Sequence, residues 1–282
     1  MFGSILLSVM GCNDYALVEK PDVIIEDTDE PVVPPPTPPA PADAPVADCS
    51  VSPNPVAPPF EAATFDGSGS YDPNGLAITD YNWELSEKPQ GSAATMPGGG
   101  AVRSGFMADQ AGLYVGRLVV TNEAGVQSPA CEAELEAIPA QNLWVEMYWT
   151  LAGDDMDLHL LAPGGTPTSD LDCYYVNCNE SQGDVLDWGV PGVSADNPRL
   201  DLDDIWGTGP ENINIDNPDG SNGGFTVVVH DFGGGNPGAN DVTVNIYLNG
   251  QLAWTQTRTL TGDLDYHNFA QIDWNNGTVT GL

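Results

Sequence analysis

The sequence predicts an all-β protein in which two β-sandwich domains follow a disordered proline-rich stalk. Short runs of β-branched and aromatic residues recur between turn clusters, and no segment carries a convincing helical period. Glycine and proline number 32 and 25 of 282 residues, which favours turn-rich β structure with some linker. Asn249-Gly250 stands between two such runs, and its tolerance of positive φ makes it the strongest short-range hairpin signal.

Six basic residues stand against 41 acidic ones, a formal net charge of -35. Binding a polyanion requires clustered Lys or Arg to neutralise phosphates, so nucleic acid is excluded as a partner and an anionic membrane surface is disfavoured. Most of this acidity serves as a solvated surface, and cation ligation is a reading for particular clusters alone. The five cysteines divide into Cys12 near the N-terminus, Cys49 and Cys131 bracketing one segment, and Cys173 close to Cys178. Two plausible pairs and one leftover suit an oxidising compartment. No CxxC motif is present, so thioredoxin-type chemistry and zinc ribbons lack support.

Residues 1–12, MFGSILLSVMGC, form a short apolar run ending in a small residue and a cysteine. The run resembles a bacterial lipoprotein signal with Val9-Met10-Gly11-Cys12 as the lipobox. That resemblance implies that Cys12 is acylated and becomes the mature N-terminus, with export through the inner membrane and anchoring at the outer membrane or cell surface. Two departures stand beside it: no Lys or Arg precedes the run, and the run is short. A start codon placed too far downstream explains both, and an ordinary secretory signal is the alternative. No other stretch approaches the ~20 apolar residues of a spanning helix, so the lipid is the expected anchor. Residues 13–47 are acidic, then proline-rich (EDTDEPVVPPPTPPAPADAP). They cannot bury a core, and as extended polyproline II at ~3.1 Å per residue they form a stalk rather than a ligand for a proline-binding domain.

Residues 48–139 change character. β-prone runs at 60–65, 78–85, 101–106, 112–122 and 131–137 are separated by GSGSYDPNG and PGGG, the pattern of a small antiparallel sandwich. The stretch FDGSGSYDPNG from Phe65 to Gly75, followed by ITDYNW ending at Trp83, resembles the PKD domain. The resemblance implies a characteristic turn, a core role for Trp83, a penultimate strand over 112–120, and a spacer or adhesion function without chemistry. Cys49 and Cys131 fall at its first and last strands and are expected to pair, closing a loop of roughly 80 residues.

Residues 141–282 form the larger domain, with alternating runs at 143–151, 155–161, 224–231, 241–248, 251–259 and 268–274. A jelly-roll-like sandwich of about eight strands is expected. Its chemistry lies in two acidic stretches. In DDMDLHL, Asp155, Asp157 and His159 share one face of a strand by period two. In RLDLDDIWGTGPENIN, Asp201 and Asp203 share a face by the same arithmetic, Asp204 follows, and Glu211 with Asn212 could complete a shell. Carboxylates pointing the same way repel unless they reach solvent or a cation, and calcium suits them as a hard ion that takes about six to eight oxygens in irregular geometry. The alternative is a pair of solvated turns. The Asp216–Gly223 loop lacks EF-hand spacing and reads as a plain hairpin turn.

The series DMDLHLLAP, DCYYVN, NPRLDLDDIWGTGPENI and GGFTVVVHDF resembles an uncharacterised C-terminal domain of secreted bacterial proteins. In its DxDLH strand it is similar to bacterial pre-peptidase C-terminal sandwiches, some of which bind calcium. What this implies is a non-catalytic accessory sandwich, with Asp155 and Asp157 as calcium ligands.

Zinc at His159 and His230 lacks an HExxH or comparable spacing, and strand histidines are usually hydrogen-bonded structural residues. There is no GxSxG motif, and acids are too abundant to single out a glycosidase pair, so an enzyme is not expected. Tyr174, Tyr175, Trp188, Trp206 and Trp254 are the candidate platforms for stacking on a ligand, Trp206 and Trp188 in glycine-rich loops first among them; Trp144, Trp149 and Trp274 on strands are expected in the core. The combined expectation is a lipid-anchored surface protein whose calcium-stabilised sandwich binds a glycan or protein. A purely structural envelope protein and an accessory domain of a secreted metallo-hydrolase are the alternatives.

Overall fold

Period-two alternation builds four antiparallel sheets in the computed structural model, which describes residues 44–179, 186–220, 223–233, 238–262 and 264–282. The expected signal, Cys12 and the stalk up to residue 43 lie outside the described residues. Among the described residues no helix is long and apolar enough to cross a membrane.

The first sandwich uses β1 (Ser50–Ser52), β2 (Ala62–Asp66), β3 (Ile78–Glu87), β4 (Val102–Met107), β5 (Gly112–Asn122) and β6 (Cys131–Ala137), in sheets ordered β1-β2-β4 and β3-β5-β6. Phe65, Trp83, Phe106, Tyr114, Leu118 and Leu135 fill the space between them. Trp83 is buried, and its indole N–H donates to the Ala101 carbonyl. In the DGSGSYDPNG turn, Asp66 and Asp72 each accept the backbone N–H two residues on, and Asp72 also accepts from the Asn122 amide. The turn is thus held by its own side chains.

Among the described residues the second sandwich has ten strands rather than about eight. They are β7 (Leu143–Trp149), β8 (Met156–Leu161), β9 (Asp172–Cys173), β10 (Arg199–Leu202), β11 (Glu211–Ile215), β12 (Phe225–Asp231), β13 (Asn240–Leu248), β14 (Gln251–Leu260), β15 (Tyr266–Asp273) and β16 (Thr278–Gly281). One sheet runs β10-β11-β7-β13-β14 and the other β16-β15-β12-β8-β9. Val145 and Met147, Leu158 and Leu160, Val227 and Val229, and Val244 and Ile246 meet between them, so each strand turns alternate residues inward. The β13–β14 hairpin turns through Asn249 and Gly250, both at positive φ (52° and 75°), as its two-residue loop requires. Trp149 lies in the core, Trp274 packs against it half-buried, and Trp144 is buried on the opposite face of β7.

On that face Glu146 joins the two sandwiches. It is 1 % exposed, and its carboxylate accepts from the Ala111 backbone N–H, the Trp144 indole, the Asn245 amide and the Tyr247 hydroxyl. Burial pushes its carboxyl upward, and the four donors oppose that shift. Gly91 packs against Tyr148, where a side chain would strike the ring.

Cys49–Cys131 and Cys173–Cys178 are both bonded. The first closes a separation of 82 residues. Replacing Cys49 and Cys131 with alanine is expected to lower stability by about 4–5 kcal/mol through the freed unfolded chain. The check is the urea midpoint of the first sandwich; a midpoint unchanged from wild type would refute the expectation.

Candidate metal centre

The site begins with a strand that stops short. β9 pairs only Leu160↔Cys173 and Leu161↔Asp172, so the edge of β8 before Leu160 has no strand beside it. A buried N–H on that edge needs a partner. Glu211 of the other sheet provides it: its Oε2 accepts the Leu158 N–H at 2.7 Å, while Oε1 accepts from Asp204 N at 3.4 Å. Glu211 is itself 1 % exposed, so a carboxylate now lies buried against the open edge of β8.

Two more acids converge on it. One carboxylate oxygen each from Asp157, Asp203 and Glu211 lies within 4.8 Å of the others. Asp155, Asp157 and Asp203 line a cavity of ≈ 250 Å³ with Tyr175, Ile205 and Phe232. Asp155 Oδ1 and Asp157 Oδ2 are buried there without hydrogen-bond partners. The electrostatics follow from this crowding. Burial first, then the charges of Asp155 and Asp203, push the Asp157 carboxyl up to about 8. Burial, then Asp203, Asp204 and Asp154, raise Asp155 to about 6. Burial raises Asp203 as well, and burial with the Asp157 charge holds Glu211 well above the carboxylate range.

Asp201 and Asp204 do not join the cluster. The β10–β11 register shifts between Leu200 and Leu202, and this bulge breaks the alternation that would put Asp201 and Asp203 on one face. Asp201 instead accepts the Asn214 amide at 2.7 Å and lies beside Arg199, whose guanidinium also pairs with Asp216. Asp204 accepts backbone N–H groups with both oxygens, Oδ1 from Trp206 and Gly207 and Oδ2 from Gly209, and so organises the loop while lying outside the Asp157, Asp203 and Glu211 group. Asn212 turns away and donates to the Val145 carbonyl.

The aromatic expectations divide too. Trp206 stands 81 % exposed at the tip of the Asp204 loop. Trp188 is 5 % exposed and stacked 6.0 Å from Phe225, which makes it a core residue and not a platform. Tyr174 is half-buried, its ring stacked 5.1 Å from His159, so it is a wall of the site rather than an open face. The Cys173–Cys178 bridge closes the turn that carries Tyr174 and Tyr175.

Sequence reasoning treated the strand histidines as structural, yet the fold brings them to the acids. Met156, Leu158 and Leu160 face the core, so Asp157 and His159 face the other way, and His230 sits directly opposite Asp157 in the β8–β12 register. His230 Nδ1 is 3.4 Å from Asp157 Oδ2, and His159 Nδ1 is 2.7 Å from Asp172 Oδ2. Burial and the neighbouring His159 lower the His230 pKa. The legible signals for this pairing were the period-two placement of His159 after Asp157 and the position of His159 and His230 on strands that could neighbour each other, each within two residues of an aspartate. Asp172, Phe232 and Tyr266 gave none.

A carboxyl whose folded pKa is raised binds more protons folded than unfolded, so stability falls as pH rises between the two values. For Asp157 that window runs from the ordinary 3.8 to about 8, and for Asp155 from 3.8 to about 6. In chelator, the melting temperature of the second sandwich should therefore fall between pH 4 and pH 8. Asp157→Asn should flatten the fall, and a profile that rises over this range would contradict the electrostatics described.

No family model matches the chain, and no curated protein does. Among solved structures it is similar to the endo-fucoidan hydrolase MfFcnA4 of glycoside hydrolase family 107, with 16% identity and a TM-score of 0.25 over 78% of this chain and 29% of that one. It is similar to the endo-fucoidan hydrolase MfFcnA9 of the same family at 14% identity and a TM-score of 0.25, over 78% of this chain and 34% of that one. The chain spans about a third of the length of these proteins. The activity in their names is theirs.

Proposed function

We propose that the protein is a non-catalytic surface lipoprotein, anchored through an acylated Cys12, whose second sandwich is a calcium-stabilised module that binds glycan. The observation that carries the reading is the convergence of Asp155, Asp157, Asp203 and Glu211, with buried oxygens of Asp155 and Asp157 that accept no hydrogen bond. Like charges at this spacing in a partly desolvated site require either protons or a cation. Calcium accepts an all-oxygen, irregular ligand set and tolerates a shell completed by water or a ligand hydroxyl.

The rim supports the second half of the reading. Ile205 and Phe232, 49 % and 41 % exposed, flank the cavity, and the exposed Trp206 follows Ile205 in the same loop. Asp204 braces the Trp206 loop while its own N–H reaches Glu211, so an ion held by Glu211 also stiffens the loop. An exposed indole can stack on the apolar face of a sugar ring, whose hydroxyls are good calcium ligands. The first sandwich and the stalk then serve to present this module.

Calcium at 100 times its dissociation constant should stabilise the protein by about 2.7 kcal/mol, a rise of roughly 5–10 °C in Tm for a chain of this size. Scanning calorimetry in calcium and in EDTA measures it; no rise in the wild type defeats the calcium reading, and Asp203→Asn should remove most of the rise. On a glycan array, Trp206→Ala should lose binding while keeping its calcium response. A wild-type protein that responds to calcium and binds no glycan would leave calcium a purely rigidifying role. For the anchor, Cys12→Ser should move the protein out of the membrane fraction; continued partition with membranes would overturn it.

A further inference from the structure

Beside the oxygen cluster lies a second set of ligands of different chemistry. Asp157 and His159 on β8 and His230 on β12 each offer one ligand atom within 4.8 Å of the other two. They are 4 %, 1 % and 7 % exposed, so all three are shielded from bulk water. His159 is held in a particular way. Its Nδ1 meets the carboxylate of Asp172, itself 0 % exposed, at 2.7 Å, and its Nε2 is buried with no hydrogen-bond partner. A carboxylate on one ring nitrogen fixes the tautomer and leaves a lone pair on the other, the arrangement that orients a metal-binding histidine. With Nδ1 engaged, Nε2 is the nitrogen His159 has left to offer.

The rings are also fixed in plane. Tyr174 stacks on His159 at 5.1 Å and 11°, Tyr266 stacks on His230 at 4.0 Å and 7°, and the two imidazoles stand edge to face at 78°. A structural histidine pair would spend its nitrogens on protein partners. Here one nitrogen of a nearly inaccessible ring has none, and the Asp157 Oδ2 near His230 accepts no hydrogen bond. Two imidazoles and one carboxylate suit a divalent transition metal, whereas an all-oxygen set suits calcium.

We propose that Asp157, His159 and His230 bind a divalent transition metal of the zinc class, with Asp172 as the positioning residue that aims His159. The site goes beyond the calcium reading and shares only Asp157 with it, so that carboxylate bridges a nitrogen-rich and an oxygen-rich position. Three protein ligands leave a coordination position for water or for an atom of a bound partner.

Cobalt(II) is the probe, because its visible ligand-field absorption reports coordination directly. Tag-free, chelator-stripped full-length protein should take up one equivalent of cobalt with visible bands, and zinc should displace it. His159→Ala and His230→Ala should each lose the bands and weaken zinc binding at least about tenfold, while keeping the calcium-dependent rise in Tm. Asp203→Asn should do the reverse, losing the calcium response and keeping the cobalt spectrum. Asp172→Asn should weaken zinc by roughly 10–100-fold with the bands retained, which a merely structural loss would not produce. Should an alanine variant fail to fold, zinc-edge X-ray absorption of the wild type decides: two imidazole ligands support the site. No cobalt or zinc uptake by the wild type, uptake unchanged in both histidine variants, or an absorption edge without imidazoles overturns it. Because calcium and cobalt are read separately, failure of one reading is distinguishable from failure of the other.

Discussion

The second sandwich closes through a carboxylate where another protein would use a strand. β9 ends after two residues, and the Leu158 amide it leaves behind is taken by Glu211 from the opposite sheet. Everything at the site follows from that substitution. Glu211 must be buried to reach Leu158, and the end of β10 that runs alongside brings Asp203 with it. Asp157 is already there by the alternation of β8. A backbone hydrogen bond has thus been made at the expense of negative charge in a partly desolvated place. Protons can neutralise that charge at low pH, and above that range a cation can. The same carboxylate, through Asp204, sets the loop that exposes Trp206, so the charge balance of the cluster and the order of the binding surface are linked.

Much of the fold was legible because its signals are local. Period-two runs gave β7, β8, β12, β13, β14 and β15 to within two residues, and Asn249-Gly250 gave the hairpin between β13 and β14. β9, β10, β11 and β16 escaped because two to five residues, many of them polar, carry too little alternation to read. The site was half legible for a related reason. Asp155 and Asp157 follow strand arithmetic directly, as does the face shared with His159. Asp201 falls outside the grouped carboxylates because a bulge at Leu200–Leu202 resets the alternation, and a bulge leaves no mark in the residue pattern. Asp204 looked like a ligand because an aspartate that bonds three backbone amides has the same composition as one that binds a metal. Trp188 sits in a glycine-rich loop that folds inward onto Phe225. The union of His159 with Asp172, and of Asp157 with Glu211, depends on contacts between segments that no local pattern encodes.

The chain also contains its own control for how it buries a carboxylate. Glu146 is as inaccessible as Glu211, and its two oxygens accept four donors, from Ala111, Trp144, Asn245 and Tyr247. Every donor is neutral, none of the described acids crowds it, and the result ties one sandwich to the other. That is a structural carboxylate with its hydrogen bonding complete. At the other site the donors are backbone N–H groups on Glu211 alone, while Asp155 and Asp157 keep buried oxygens that accept no hydrogen bond and face further acids. A chain that satisfies Glu146 so fully has the means to satisfy the rest. That it leaves these oxygens and one histidine nitrogen open, side by side and rigidly walled by tyrosines, is the physical reason to read them as ligands for something outside the chain.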